Sequence, residues 1–354
     1  MSLGSSVGQP VRIGLNGFGR IGRSVLRASA RHPAIEIVAI NDVMDDDDMR
    51  YLFAHDSVMG RVDDVVLSDG TLQVGDHKIA LAGERDPADL PWGALDVDVA
   101  LECTGRFRSF EAATAHVDAG ANRAIISAPP SGDRDVPQFV YGVNHEEYDG
   151  EAVISNASCT TNSVAPVVKV LDDEFGIEHG LLTTVHAYTG TQALIDGPAS
   201  KRRRGRAAAE NIIPTTTGAA VAATEVLPQL EGKLDGMAMR VPVPNGSITD
   251  LTVDLAAAVG PAAVNEALTA AADGPLAGVL GTTEEAIVSR DILGLPHSSI
   301  VDLDSTLGMS SGFVKVLAWY DNEFGFSNRL LDMAEFISTG DVTPATEASA
   351  PLAQ

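Results

Sequence analysis

Cys159 stands in the segment SNASCTTNS (Ser155–Ser163), just after a short apolar run and just before residues with helical apolar spacing. A thiol there lies at a helix N-terminus, where free backbone N–H groups and the positive dipole end favour the thiolate. The same N–H groups can hold an oxyanion. Ser158, Thr160 and Thr161 crowd hydroxyls around the same point. A lone cysteine is more often a buried apolar group, but these polar flanks argue for reactivity. A nucleophilic cysteine wants a base or cation beside it. Among the eight histidines, His186 in the strand-like TTVHAYT fits best, while His55, His145 and His297 suit surface or capping positions. Spacing alone does not bring His186 to Cys159.

A second pattern lies near the N-terminus. Gly17, Gly19 and Gly22 form G-x-G-x-x-G, with Phe18, Arg20 and Ile21 between them. The motif sits between an apolar strand and a helix, as a pyrophosphate loop requires. The first glycine makes the turn, the second admits a pyrophosphate, and the third lets helix pack on strand. Asp42 follows Gly22 by 20 residues, next to Asn41 at the end of the second strand. Its carboxylate suits ribose hydroxyls and repels a 2′-phosphate, and Asp45–Asp48 reinforce that charge, so NAD is expected, with NADP secondary. A cysteine nucleophile, a histidine base and a dinucleotide together imply aldehyde oxidation through a thioester.

The cations are few enough for their places to matter. Arg240 lies within the apolar strand-like MAMRVPV, where a charge is costly unless paired, so a substrate phosphate is its natural partner. Lys201–Arg206 (KRRRGR) is the one dense cationic run; it reads equally as an anion pocket, an oligomer contact or a solvated loop.

Positioning these groups requires particular elements. Val11–Leu15, the helical Ile21–Ala30 and Ile35–Ile40 make a βαβ unit. Strand-like runs follow at Val97–Cys103, Arg123–Ser127 and Ala152–Ser155, with a helix at Glu111–Ala119. The expected class is α/β: a Rossmann-type, doubly wound parallel sheet over residues 11–157. The second half has a helix at Ser163–Leu171 and strands at Leu181–Thr189, Met237–Val243, Ile248–Val253, Ser299–Asp302 and Phe313–Ala318. It reads as an α+β catalytic domain, 158–324, with a mostly antiparallel sheet. A last helix is expected over 325–337, centred on Arg329–Ile337, and disordered tails over 1–10 and 338–354.

Composition narrows the class further. The 354 residues carry 24 Lys and Arg against 49 Asp and Glu, a net charge of −25. That charge repels nucleic acid and anionic membranes. Only five cations are lysines, a bias that suggests adaptation to a salt-rich cytoplasm where screening removes self-repulsion. Two cysteines, Cys103 and Cys159, make no disulfide framework. With no leader-like start and no apolar run near the roughly 20 residues of a bilayer span, a cytoplasmic protein is expected.

These residues resemble the phosphorylating glyceraldehyde-3-phosphate dehydrogenases. NGFGRIGR, ECTGRF, ISAP, SNASCTTN, TTVHAYT, AENIIPTTTGAA, GKLDGMAMRVPVPNGS and FVKVLAWYDNEFGFSNR match in order from Val11 to about Ile337. The resemblance implies that Cys159 is the nucleophile and His186 its ion-pair partner and general acid/base. It implies that Thr189, Thr191 and Arg240 hold the C3 phosphate of glyceraldehyde 3-phosphate. Ser158, Thr160, Thr217, Gly218 and Arg206 would hold the attacking inorganic phosphate. Asn322 would fix the nicotinamide carboxamide, and Thr104, Gly105 and Ser127 would line the NAD cleft. It also implies a homotetramer, with KRRRGR in an inter-subunit loop. Ser163 and Phe326 depart from the family's frequent cysteine and tyrosine. Two alternatives remain open: an erythrose-4-phosphate dehydrogenase, and a catalytically silent dinucleotide-binding protein.

Overall fold

The computed structural model describes residues 9–343. The outer parts of the two expected tails lie outside the described residues. Contacts divide the chain into two units: residues up to 137, 148–156 and from 330 onward, then 138–147 and 157–329.

In the first unit, β1 (Val11–Asn16), α1 (Arg20–Ser29) and β2 (Ile35–Asn41) form the βαβ entry. After α2 (Asp46–Ala54) comes a small ribbon, β3 (His55–Asp56) with β4 (Gly60–Arg61). Then follow β5 (Val65–Ser68), β6 (Thr71–Val74), β7 (His77–Ala82), β8 (Val99–Glu102), α3 (Phe110–Asp118), β9 (Arg123–Ile126) and β10 (Val153–Ser155). The sheet runs β10-β9-β8-β1-β2-β7-β6-β5. It is parallel from β10 through β7, while β7, β6 and β5 form an antiparallel meander. The meander escaped the pattern reading because its strands are short and half-exposed. Between β5 and β6, Asp69 and Gly70 both have positive φ (47° and 70°), as a tight Asp-Gly hairpin turn demands.

The parallel strands are apolar because both faces are covered. On one side Trp92 fills the space against Val38, Leu90, Val97 and Ala100. Gly14 in β1 faces that ring, and a Cβ there would lie 2.9 Å from it.

The second unit begins with α4 (Cys159–Phe175), capped by Ser158, whose hydroxyl accepts from the Thr161 N–H at 3.0 Å. Its stripe of Val164, Val167, Val168 and Leu171, at i, i+3, i+4 and i+7, is fully buried. Then come β11 (Ile177–Ala187), β12 (Ile213–Thr216), α5 (Ala219–Val226), β13 (Leu234–Val241) and β14 (Ser247–Leu255). The unit continues with α6 (Pro261–Ala272), β15 (Leu280–Thr283), β16 (Ser299–Gly308), β17 (Phe313–Tyr320) and the start of α7 (Phe324–Thr339), whose residues from Leu330 onward belong to the first unit. Its sheet has the order β12-β13-β11-β14-β17-β16-β15. It is mostly antiparallel, with parallel pairings at β11–β13 and β15–β16. Core residues of α4, α5 and α6 pack with Leu182, Leu251, Val253, Val301, Val314 and Val316 of the strands.

The last helix is longer than expected at both ends. Asp321 starts it by accepting N–H bonds from Glu323 and Phe324 at 2.9 and 2.8 Å. Ser338 and Thr339, expected in the tail, stay helical and return their hydroxyls to the carbonyls of Ala334 and Glu335. No helix among the described residues is long and apolar enough to cross a membrane.

Gly14→Ala places a methyl group inside the Trp92 ring's contact distance. It should lower unfolding free energy by about 1–3 kcal/mol, read as a reduced urea midpoint with an unchanged slope.

Candidate active site

The nucleophile's position is made locally. Ala157, with φ +54°, turns the chain ahead of the helix, so that Ser158 caps it and Cys159 is its first residue. A non-glycine residue in this region is strained, and such strain gathers at functional sites.

The histidine's position is made by register. Strand alternation puts Thr184 and His186 on the same, buried face of β11. The parallel pairing of β11 with β13 sets His186 opposite Arg240. The Cys159 Sγ lies 3.5 Å from His186 Nε2 and 4.0 Å from Thr160 Oγ1. On the far side of the ring, His186 Nδ1 is 2.6 Å from both the Ala187 carbonyl and Arg240 Nη1. A guanidinium only donates. With Nδ1 accepting from Arg240, the ring proton faces the sulfur; with Nδ1 donating to Ala187, Nε2 is free to take the thiol's proton. The position of Arg240 therefore selects the tautomer.

Burial sets the electrostatics. It pushes the Cys159 thiol up, opposed by the charge of Arg240, the Thr160 hydroxyl and the N–H groups of Thr160 and Cys159. It pushes His186 down to about 3, helped by Arg240 and Arg204. Neither group takes a charge alone, but a proton passed from sulfur to imidazole creates both charges side by side, each screening the other. Tyr320 bridges the helix and strand, its hydroxyl 2.9 Å from Thr160 Oγ1 and 2.8 Å from Thr184 Oγ1. The other cysteine, Cys103, is pushed up to about 12 by burial and by Glu102, with only a Ser127 hydrogen bond in opposition.

Arg240 Nε is buried without a partner among the described residues, an orphaned donor of the kind an anion satisfies. Just past β11, the Thr189 and Thr191 hydroxyls meet at 2.9 Å. Thr217 accepts from the Ala219 N–H at 3.1 Å, and Gly218 precedes α5.

The cationic run requires a correction. Arg206, expected at the second anion position, is exposed and binds Asp196, Nε to Oδ2 at 2.8 Å. Arg204 is the residue whose charge reaches His186 and Arg240. Thr215 Oγ1 and the Thr216 carbonyl hold its guanidinium in place. Sequence spacing gave no way to choose between cations two residues apart; the path of the loop decides.

In the first unit the glycine loop has the required geometry. Gly17 has φ +99°, and a Cβ there would lie 2.7 Å from the Thr104 nitrogen. At Gly22 a Cβ would lie 2.1 Å from the Gly17 carbonyl, so this glycine clears the loop itself rather than the strand. Nothing lies within 4 Å of the Gly19 Cβ position, which leaves space for a pyrophosphate over the start of α1. Asp42 accepts from the Phe18 N–H at 2.6 Å and the Met44 N–H at 3.0 Å. Two of its roughly four acceptor sites remain for ribose hydroxyls. Arg20 turns its guanidinium to Asp56 at 2.5 Å, which leaves its backbone for a cofactor. Ile21 is half-buried beside it.

Asn41 hydrogen-bonds Asn16 Oδ1 at 2.7 Å instead of facing outward. Thr104 and Ser127 are half-buried next to Glu102, and Gly105 is exposed with φ +68°. In the second unit Asn322 is buried, and its Oδ1 accepts from the Gly246 N–H and the Ser247 hydroxyl at 3.2 and 2.8 Å. Glu102 and Arg204 were missed by the sequence reading. The signal for Glu102 was a carboxylate in an otherwise apolar strand. Among the described residues no cluster of histidine, cysteine and carboxylates has the makings of a metal site.

Comparison with known proteins agrees with this geometry. Residues 11–110 match the family model described as the glyceraldehyde 3-phosphate dehydrogenase NAD binding domain, and residues 158–322 match the C-terminal domain of the same family. The chain is 63% identical over 332 residues to a glyceraldehyde-3-phosphate dehydrogenase of Haloarcula vallismortis, covering 93% of this chain and 99% of that one. It is 51% identical to the Geobacillus stearothermophilus enzyme over 93% of this chain and 98% of the relative. Glyceraldehyde-3-phosphate dehydrogenase 1 of Saccharomyces cerevisiae is 49% identical over 93% and 99% of the two chains. From its glycine loop to its last strand, the chain belongs to the glyceraldehyde-3-phosphate dehydrogenase family.

Proposed function

We propose that this protein oxidises glyceraldehyde 3-phosphate with NAD and inorganic phosphate, giving 1,3-bisphosphoglycerate. The observation that carries the reading is Cys159 Sγ at 3.5 Å from His186 Nε2, with Arg240 on the ring's far side. The substrate's C3 phosphate pairs with Arg240 and the hydroxyls of Thr189 and Thr191. Drawing Arg240 toward that phosphate frees His186 Nδ1 to donate to Ala187, which is the tautomer a base needs.

Cys159, deprotonated by His186, forms a C–S bond to the aldehyde carbon. The resulting oxyanion lies by the Cys159 N–H and takes a proton from His186, giving a hemithioacetal. Bound NAD supplies the hydride acceptor. As the hydride leaves, His186 Nε2 removes the hydroxyl proton and the carbon becomes a thioester. Inorganic phosphate, held by Arg204 with Ser158, Thr160, Thr217 and Gly218, attacks the thioester carbonyl. The C–S bond breaks, releasing the acyl phosphate and restoring the Cys159 thiolate. Glycine-loop N–H groups and Asp42 hold the adenosine half of NAD. With its oxygen already engaged, Asn322 offers its Nδ2 hydrogens to the carboxamide oxygen.

We also infer a cytoplasmic homotetramer, acting in glycolysis or its reversal and adapted to salt. The outward face of the second sheet supports association, since Leu181, Leu307 and Phe313 are exposed on it. The likeness to a haloarchaeal relative and the net charge of −25 support the salt reading.

In molar KCl, NAD reduction should require both glyceraldehyde 3-phosphate and inorganic phosphate, and Cys159→Ser should abolish it while still binding NAD. Phosphate-independent turnover, or faster turnover with erythrose 4-phosphate, would count against the reading. His186→Asn should lower kcat by about 10²–10⁴. Arg204→Ala should raise the KM for phosphate about tenfold or more, one charge-assisted bond, while Arg206→Ala leaves it within about twofold. A reversed pair would restore Arg206 to the site. The Arg240 cation holds the thiol down, so Arg240→Ala should shift the midpoint of iodoacetamide alkylation to higher pH.

A further inference from the structure

Glu102 closes β8 and has no solvent exposure. No cation pairs with its carboxylate among the bonds described; it receives four donors instead. Oε2 accepts from Asn16 Nδ2 at 2.6 Å and from His116 Nε2 at 3.2 Å. Oε1 accepts from the Thr104 N–H at 2.8 Å and from the Thr104 hydroxyl. Four donors match the acceptor sites of one carboxylate, so the group is saturated.

Each donor's direction is fixed from farther out. The Trp92 indole only donates, and its Nε1 is 3.1 Å from His116 Nδ1, so the imidazole proton sits on Nε2 and points at Glu102. Asn41 Nδ2 donates to Asn16 Oδ1 at 2.7 Å, so the Asn16 amide must turn its NH₂ to Glu102. The Glu102 backbone carbonyl accepts the Ser127 hydroxyl at 2.8 Å. The ends of β1, β2, β8 and β9 thus share one polar lattice whose polarity has a single solution.

That lattice governs what faces the dinucleotide. The Thr104 hydroxyl proton is committed to the Glu102 carboxylate, and the Ser127 hydroxyl is held inward by the Glu102 backbone carbonyl and Cys103, so neither side chain donates outward. Thr104 Oγ1 also accepts from the Arg106 N–H at 3.0 Å, so it keeps one oxygen lone pair, and Ser127 presents its own. Such a wall accepts from ribose hydroxyls or a carboxamide NH₂ and gives a phosphate nothing to bind. The pyrophosphate is left to the glycine-loop N–H groups. We propose that Glu102 is a positioning residue that sets this polarity, so that the wall selects the nicotinamide-riboside half of NAD. The proposal rests on NAD being the cofactor of this chain.

Calorimetric titration with NAD and, separately, with ADP tests it on the purified protein. Glu102→Gln introduces an NH₂ among donors and releases the Thr104 hydroxyl proton, while the Ser127 hydroxyl stays on the backbone carbonyl of residue 102. It should raise the Kd for NAD by about tenfold or more and leave that for ADP within about twofold. A purely structural role would weaken both ligands equally, and that result, or no change in either, overturns the proposal. If Glu102→Gln does not fold, Thr104→Val and Thr104→Ser carry the test. Valine should weaken NAD but not ADP, and serine should restore NAD binding; wild-type NAD affinity in the valine variant overturns it. Failure of the unaltered protein to bind NAD while remaining folded would refute the cofactor assignment, and the proposal with it.

Discussion

The chemistry depends on a thiol and an imidazole buried together, in a place where neither is stable as a lone ion. Burial raises one pKa and lowers the other, so only a proton exchange between them yields a charged nucleophile. Three independent devices produce that arrangement: a strained Ala157 ahead of a capped helix, strand alternation along β11, and the register that pairs His186 with Arg240. A shift of one residue in that register would turn Arg240 to the opposite face of the sheet. The second sheet therefore acts as an alignment device for two side chains as well as a core.

Arg240 stands at the crossing of binding and catalysis. It lowers the thiol's pKa, opposes protonation of His186 and has a buried donor without a partner. A guanidinium in that position makes the histidine's tautomer depend on whether an anion is present. Substrate recognition and base activation then share one group, which binds where the charge is and releases the ring when it moves.

In the first unit the same economy appears in the strand ends. Gly17, Gly19 and Gly22 shape the backbone, and Asp42 ties the loop to β2 through the Phe18 N–H. Glu102 organises an asparagine, a threonine and a histidine from separate segments. A buried carboxylate without a cation persists because its hydrogen bonds replace the water it lost.

Much of this was legible in the residues. Periodicity marked most of the strands and helices, since side-chain spacing follows directly from helix and strand geometry. It shortened α4, whose first turn Cys159–Asn162 is polar, and α7, whose last residues Ser338 and Thr339 are polar, and it passed over the half-exposed meander of β5 to β7. Cys159 at a helix start and the glycine loop before α1 were local facts, fixed by neighbours in the chain. What only the tertiary structure decided were choices among similar groups: Arg204 over Arg206 near His186, Arg20 committed to Asp56, Glu102 as a hub. Those choices turn on contacts between residues tens of positions apart, such as Asn16 with Glu102 and His186 with Arg240. Local spacing constrains which face a side chain takes, whereas the partner on that face is set by strand register and loop path.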